Sequence, residues 1–387
     1  MFKIKCLNQI AQIGLDHFTE NYTLTDNLEE ADALLIRSAN IYDMEFGKSL
    51  KAIARAGAGV NNIPIDKCSE QGIVVFNTPG ANANGVKEAV LAGLFLASRD
   101  IIGGVNWVTS QKGNPEIASM VEKKKKDFAG IEIKGKKLGV VGLGAIGTLV
   151  ANSAIKLGME VYGYDPYISV RSAWKLSKYI KPSKSLEEIC RECDFITVHV
   201  PLTDSTKEMF NEKTFAMMKD GVRLLNFSRD LLVKEEDLNQ ALNTGKVAKY
   251  VTDFPTPKIT GLDGVIAIPH LGASTCESEE NCAVMAVTQL MAFLENGTIS
   301  NSVNYPDCDN GHPDNEGRVA VYHRNIPNMI GQFTSALAKE NVNIPDMINK
   351  SKGQYAYTLL DTDTPVTPEI AKKIEQIEGV LRVRIIK

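Results

Sequence analysis

The cysteines of this chain are not arranged to staple it. All seven are scattered, and several sit in apolar surroundings. Cys190 and Cys193 stand as C-R-E-C without the second pair that a zinc site needs, and Cys276 and Cys282 repeat no spacing. Reduced thiols in a cytoplasmic protein are the expectation. Surplus positive charge is missing too. A net charge of −4 gives no general attraction to nucleic acid or to an anionic membrane. The basic run Lys123–Lys126 is isolated, lacks interleaved aromatics and reads as a solvated face. No apolar run has the length and purity of a membrane span, and Met1 leads straight into charged, strand-like sequence with no leader pattern. What is present suits a globular protein: 387 residues, 44% hydrophobic, enough for two or three domains.

The most informative stretch is KKLGVVGLGAIGTLVANSAIKLGMEVYGYD, Lys136 to Asp165. It runs strand, glycine turn, helix, strand, acid. Gly142, Gly144 and Gly147 stand in G-x-G-x-x-G spacing: the first permits a tight turn, the second lets backbone approach a pyrophosphate, and the third lets helix pack on strand. The helix expected over Ile146–Leu157 would offer free N–H groups to phosphate near Ala145 and Ile146. Asp165 would accept hydrogen bonds from the adenosine ribose and repel a 2′-phosphate, which favours NAD over NADP. The full strand–helix–strand context makes this a strong dinucleotide signal.

Around it the chain alternates. Strand candidates at Lys3–Leu7, Ala33–Arg37, Lys51–Arg55 and Ile73–Asn77 predict a small parallel sheet. A single long helix is expected from about Val86 to Ser110. After Asp165, strands end in succession at His199-Val200-Pro201, Phe227-Ser228-Arg229, Asp253 and Pro269-His270. In an open α/β sheet such ends share one crevice. Thr275–Glu295 reads as a helix returning to the first domain, and Gly297–Gly317, rich in Asn, Asp, Ser, Gly and Pro, as a linker. The remainder has βαββαβ order, a ferredoxin-like unit. The expected class is therefore α/β, with two Rossmann- or flavodoxin-like parallel-sheet domains and a C-terminal ferredoxin-like one. The boundaries are 1–90 (completed by 275–300), 91–274, a linker at 301–316, and 317–387.

His270 is the best proton-transfer candidate, because histidine titrates near neutrality. Arg229 is the best anion clamp, its planar fork matching a carboxylate; otherwise it pairs with Asp230 or Glu235. Arg37-Ser38 and Arg55 with the small residues Ala58 and Gly59 follow strands of the first domain, where exposed backbone N–H groups suit an oxyanion. A surface ion pair is the plain alternative for both arginines. An arginine, a histidine and a nicotinamide suffice for hydride transfer at a 2-hydroxy or 2-oxo acid.

VVGLGAIG, HVPLTDSTKEMFN, LLNFSRD and PHLGASTCESEEN resemble, in that order, the segments of the D-isomer-specific 2-hydroxyacid dehydrogenases. The resemblance covers about the first 300 residues. It implies a split substrate domain, a dimer built largely on the nucleotide domains, and an NAD site lined by Asp165, His199, Phe227-Ser228-Arg229 and Asp253. It assigns Arg229 to substrate carboxylate and carbonyl, and His270 to acid/base work. RAGAGVNNIP and the C-terminal unit point to the branch that oxidises 3-phospho-D-glycerate for serine synthesis, with Arg37 and Arg55 on the phosphate side. The family usually carries a glutamate shortly after the aspartate matching Asp253, which orients the histidine. Here the sequence is Asp253-Phe254-Pro255-Thr256-Pro257, without it. That absence keeps a non-catalytic NAD-sensing protein open; another D-2-hydroxyacid dehydrogenase, acting on glycerate or lactate, is the runner-up enzyme, and Arg37 and Arg55 count against it. The C-terminal unit resembles an ACT domain, a ligand-sensing module, and His323, Asn325 and Asn343 match positions that contact L-serine across a domain pair. A homodimer or homotetramer is expected.

Overall fold

The computed structural model describes residues 1–387, the side chain of Arg171 excepted. The chain divides into two compact units, Met1–Asn82 with Cys276–Lys387, and Ala83–Thr275. Among the described residues no helix is long and apolar enough to cross a membrane.

In the first unit β1 (Phe2–Cys6), β2 (Tyr22–Leu24), β3 (Ala33–Ile36), β4 (Ala52–Arg55) and β5 (Val74–Phe76) form a parallel sheet in the order β2-β1-β3-β4-β5. This is the flavodoxin-like order. β3 and β5 are buried at every position, as strands covered on both faces must be. The helix Cys276–Asn296 lays Ala283, Ala286, Val287, Leu290 and Phe293 into the same core as Ile4, Leu35, Ala54 and Phe76.

In the second unit β6 (Lys137–Val141), β7 (Glu160–Tyr164), β8 (Lys181–Pro182), β9 (Phe195–Val198), β10 (Val222–Asn226), β11 (Val247–Thr252) and β12 (Val265–Ala267) form a parallel sheet ordered β12-β11-β10-β9-β6-β7-β8. The strand order reverses at β6, which is where such sheets bind ligands. Register sets Val141 beside Tyr164 and Val198, Val198 beside Asn226, Asn226 beside Thr252, and Thr252 beside Ala267. The carboxyl ends of these strands therefore lie in one row.

The single helix expected over Val86–Ser110 is two, Ala83–Ser98 and Ile101–Ser110. Asp100 breaks it: its backbone leaves the helical region and its carboxylate accepts the Gly103 N–H at 3.0 Å, capping the second helix. That second helix buries none of its residues.

The C-terminal part has the expected βαββαβ order. β13 (Gly317–Arg324), β14 (Asp346–Lys352), β15 (Tyr355–Thr362) and β16 (Val380–Ile385) pair antiparallel in the order β14-β15-β13-β16, with helices Met329–Lys339 and Pro368–Glu375. One face of this sheet, with Val319, Val321 and Leu360, packs on those helices through Phe333, Leu337, Ile370 and Ile374. The opposite face, with Ala320, Tyr322, Tyr357 and Leu359, joins the core of the five-stranded sheet. Alternation along each strand supplies both faces.

The segment expected to be a linker is not a free tether. Ser302, Asn304, Tyr305 and Cys308 are buried. Ile299 and Cys308 bridge antiparallel, and Ser302 bridges Phe76 at the edge of the five-stranded sheet. The Asn304 amide accepts from the Val75 N–H (2.9 Å) and donates to the Ile73 carbonyl (2.9 Å). Polar composition here covers a strand edge instead of meeting water. Arginines of the C-terminal part complete the attachment. Arg318, fully buried, forms a fork–fork pair with Asp361 and also donates to the carbonyls of Asn296, Asn310 and Gly311. Arg384 donates to the carbonyls of Phe293 and Leu294, and Arg382 to those of Lys48 and Leu50.

Candidate active site

The residues that follow the aligned strand ends are the ones singled out by sequence. In order across the sheet they are His270 after β12, Asp253 after β11, Phe227-Ser228-Arg229 after β10, His199-Val200-Pro201 after β9, Gly142 after β6 and Asp165 after β7. The glycine turn thus has Asp165 on one side and the polar cluster of β9 to β12 on the other.

Each glycine of the turn meets a different demand. Gly142 has φ +90°, and a Cβ there would lie 2.6 Å from the His199 carbonyl oxygen. A Cβ on Gly147 would lie 1.9 Å from the Gly142 carbonyl oxygen. Around Gly144, by contrast, there is open space. It is the N-cap of the Ala145–Lys156 helix and has no side chain to cap it, so the first N–H groups, those of Ala145, Ile146 and Gly147, are left for a ligand. Asp165 accepts from the Leu143 N–H (2.8 Å) and the Tyr167 N–H (2.9 Å). It fixes the glycine turn and keeps lone pairs free of those two donors.

The β10 end is held by a residue the sequence did not advertise. Asn226, fully buried, accepts from the Ser228 N–H (3.1 Å) and donates to the Arg229 carbonyl (2.7 Å) and to the Tyr250 hydroxyl (3.1 Å). Ser228 donates to the Val198 carbonyl, tying β10 to β9 at 2.7 Å. This turn carries Arg229 outward, exposed, with its Nη1 donating to the Ser228 carbonyl at 2.5 Å.

His270 is exposed and has φ +37°, a conformation uncommon outside glycine. Its N–H donates to the carbonyls of Asp253 and Ile268, both at 3.0 Å. Asp253 is buried; one carboxylate oxygen accepts from the Gly272 N–H at 3.3 Å. Burial pushes the Asp253 carboxyl above its ordinary range, and the charges of His270 and Arg229 pull the other way. Asp253 is thus a carboxylate near enough to His270 for their charges to interact. Of the nearby glutamates, Glu279 is engaged elsewhere, with Arg37 in the first unit.

Two polar atoms on this row are buried without a partner among the described residues, His199 Nδ1 and Asp253 Oδ1. His199 Nε2 contacts the Thr197 hydroxyl at 3.0 Å, and burial lowers the His199 pKa far enough to keep the ring neutral. Buried atoms of this kind call for a ligand. Together with the open cradle at Gly144 they fit a dinucleotide lying along the row.

The remaining candidates lie in the first unit. Arg37 pairs with Glu279, and Arg55 Nε donates to the Arg37 carbonyl at 3.0 Å. Asn8 was not foreseen. Its side-chain oxygen accepts from the N–H groups of Arg37 (2.9 Å), Ser38 (3.1 Å) and Ala39 (2.9 Å), filling the backbone nest that sequence reserved for an oxyanion. The Ala58 carbonyl accepts from Asn77 at 2.6 Å, which pins the loop leading to Gly59.

The three candidate effector residues do not meet within one chain. His323 is buried, with Nδ1 at the Arg324 carbonyl (2.8 Å) and Nε2 at Thr358 (2.9 Å) and Asn349 (3.3 Å). Asn325 donates to the Gly353 carbonyl at 3.2 Å. Asn343 is beside Asp363, past the far end of β15, where Thr362 pairs with Gly317; His323 pairs with Ala356 at the other end.

Comparison with known proteins agrees with this architecture. Residues 91–272 match the family model described as D-isomer specific 2-hydroxyacid dehydrogenase, NAD binding domain. D-3-phosphoglycerate dehydrogenase of Methanocaldococcus jannaschii is 31% identical over 89% of this chain, which spans 64% of that relative's length. Hydroxypyruvate reductase of Thermotoga maritima is 37% identical over 69% of this chain and 86% of its own. The crystal structure of NAD+-bound 3-phosphoglycerate dehydrogenase from Entamoeba histolytica has a TM-score of 0.61 and 28% identity, covering 78% of this chain and 98% of that one. Such identity across most of the reductase, with a family match running to the loop after β12, establishes kinship: this chain belongs to the D-isomer-specific 2-hydroxyacid dehydrogenase family.

Proposed function

We propose that the chain oxidises 3-phospho-D-glycerate to 3-phosphohydroxypyruvate with NAD, in the phosphorylated route to L-serine. The observation that carries the reading is the row of strand ends, which runs from the glycine turn and Asp165 to Arg229, Asp253 and His270. His270 takes the proton of the substrate hydroxyl. Arg229 pairs with the carboxylate and polarises the C2 oxygen as it becomes a carbonyl. Asp253 places negative charge near the imidazole as it protonates. When bound, NAD+ accepts the hydride that leaves C2. The C–H electron pair goes to the cofactor, the hydroxyl proton goes to His270, and the C2–O bond becomes double. Arg37 and Arg55 supply positive charge for the phosphate.

The test is NADH formation from 3-phosphoglycerate, with a coupling reaction that removes product. His270→Ala is expected to lose turnover and keep NAD binding, and Arg229→Ala to lose turnover and substrate affinity together. Arg37→Ala and Arg55→Ala should weaken 3-phosphoglycerate far more than glycerate; equal losses would make these arginines structural. Asp165→Ala should relax the preference for NAD over NADP, and an unchanged ratio removes its ribose role. A non-catalytic NAD sensor is favoured by one feature, the missing glutamate after Asp253, and turnover with any D-2-hydroxy acid excludes it.

The exposed apolar side chains of Ile101, Ile102, Val105 and Val108 support a second copy of the chain against that helix, as the family dimer implies, and the free thiols suit a reducing cytoplasm. Serine regulation needs such a copy, since His323 with Asn325 and Asn343 lie at opposite ends of the C-terminal sheet. Calorimetry with L-serine on the full chain, and on Asn343→Ala, decides it.

A further inference from the structure

The turn after β11 lacks the glutamate that the family usually carries there, and the structure shows what Phe254 of that turn touches. Its ring centroid lies 4.6 Å from that of His270, with the planes tilted by 45°. The Arg229 guanidinium carbon lies 5.8 Å from the same centroid. One aromatic ring therefore contacts both side chains assigned to the chemistry. We propose that Phe254 is a positioning residue that orients Arg229 and His270 together through its ring. The proposal rests on the reading of Arg229 and His270 as the reacting pair.

The physical argument begins with how little else holds those two groups. Both residues are exposed. The His270 backbone is pinned at positive φ by two carbonyls, yet its ring has no hydrogen-bond partner among the described residues. Among the described residues, the Arg229 guanidinium hydrogen-bonds only the neighbouring Ser228 carbonyl. Left alone, each would sample several rotamers. Phe254 is the better anchored partner. It is half-buried, its N–H donates to the Thr252 hydroxyl at 3.1 Å, and Pro255 after it restricts its backbone to extended conformations. A tilted aromatic contact holds an imidazole at one inclination. A guanidinium is attracted to the face of the same ring. A carboxylate partner would orient the histidine by charge; a ring orients both groups by shape and quadrupole and adds no negative charge that Arg229 could bind instead of substrate.

The experiment pairs Phe254→Leu with Phe254→Tyr. Leucine keeps apolar bulk and removes the ring; tyrosine keeps the ring. Phe254→Leu should lower kcat by about 10- to 100-fold, the scale expected when reacting groups are misplaced, with NAD affinity unchanged and with Phe254→Tyr retaining most activity. A second readout does not depend on turnover. The chain has five histidines, so the His270 ring signal in a carbon-13 histidine NMR spectrum is identified by its loss in His270→Gln. Phe254→Leu should move that signal as the ring current disappears, and Phe254→Tyr should leave it in place. Wild-type kcat in Phe254→Leu, or an unmoved His270 signal, overturns the proposal. Should the wild-type chain turn over no D-2-hydroxy acid, the catalytic reading fails, and the NMR comparison still decides whether the ring sets the imidazole.

Discussion

Asp253 is a carboxylate that the fold keeps at a cost. One oxygen has a backbone donor, the other is buried without one, and burial raises its pKa. The sign of the consequence follows from proton counting. With the folded pKa above the unfolded value of about 3.9, the folded state holds more protons in the window between the two, so stability falls as pH rises through it and stays lower above. Asp253→Asn mimics the neutral acid. It should melt at a higher temperature than wild type at pH 7, lose that advantage below about pH 3.9, and lose turnover throughout. Equal melting temperatures at pH 7 would show that Asp253 finds a proton donor in solution. Arg37 lies at the other extreme. Its pair with Glu279 is exposed on both sides, and such pairs contribute about 0–1 kcal/mol, so the glutamate holds Arg37 only weakly.

Among the elements, those that bind through backbone were the most legible. A positive-φ turn, a close helix contact and an open N-cap leave glycines at set spacings, so Gly142, Gly144 and Gly147 were identified with distinct roles that the structure's geometry accommodates. Strand ends were visible because apolar runs stop at polar residues. Asn8 and Asn226 were not, since an asparagine among polar neighbours has no period, and its value lies in groups distant in sequence. The turn after Asp253 was visible for the glutamate it lacks, and silent about the two partners of Phe254. The helix break at Asp100 was missed because apolar residues resume at Ile101 and hide the cap. Asn8 carries a prediction at this scale. Asn8→Ala strands three backbone N–H groups and frees the Arg37 loop; KM for the 2-hydroxy acid should rise about 10-fold, in line with the loss of hydrogen bonds worth about 1 kcal/mol each, while NAD affinity holds. An unaltered KM would show that the loop keeps its shape without Asn8.

At the scale of the molecule, the C-terminal part is built into the first unit. Composition alone predicts a detachable module on a tether, and deletion from about Gly311 would then leave the remainder intact. The structure argues otherwise. Deletion removes Ala320, Tyr322, Tyr357 and Leu359 from a core they share with Phe76, Phe293 and Tyr305. Exposing a few such side chains costs about 1.5–3 kcal/mol each, comparable in sum with a whole domain's stability of about 5–15 kcal/mol. A chain ending at 310 should melt at a markedly lower temperature or aggregate; an unchanged melting temperature would restore the tether. The manner of attachment has a further result. Arg318, Arg382 and Arg384 donate to main-chain carbonyls of Asn296, Asn310, Lys48 and their neighbours. Every residue type has a carbonyl. The two sides of the seam are therefore unequally free to drift: saturation mutagenesis should find Lys48 and Asn296 permissive to most replacements, Asn310 less so because its amide also donates to Asp361, and the three arginines closed even to lysine, so that the record of this attachment is written mostly in one of the two partners.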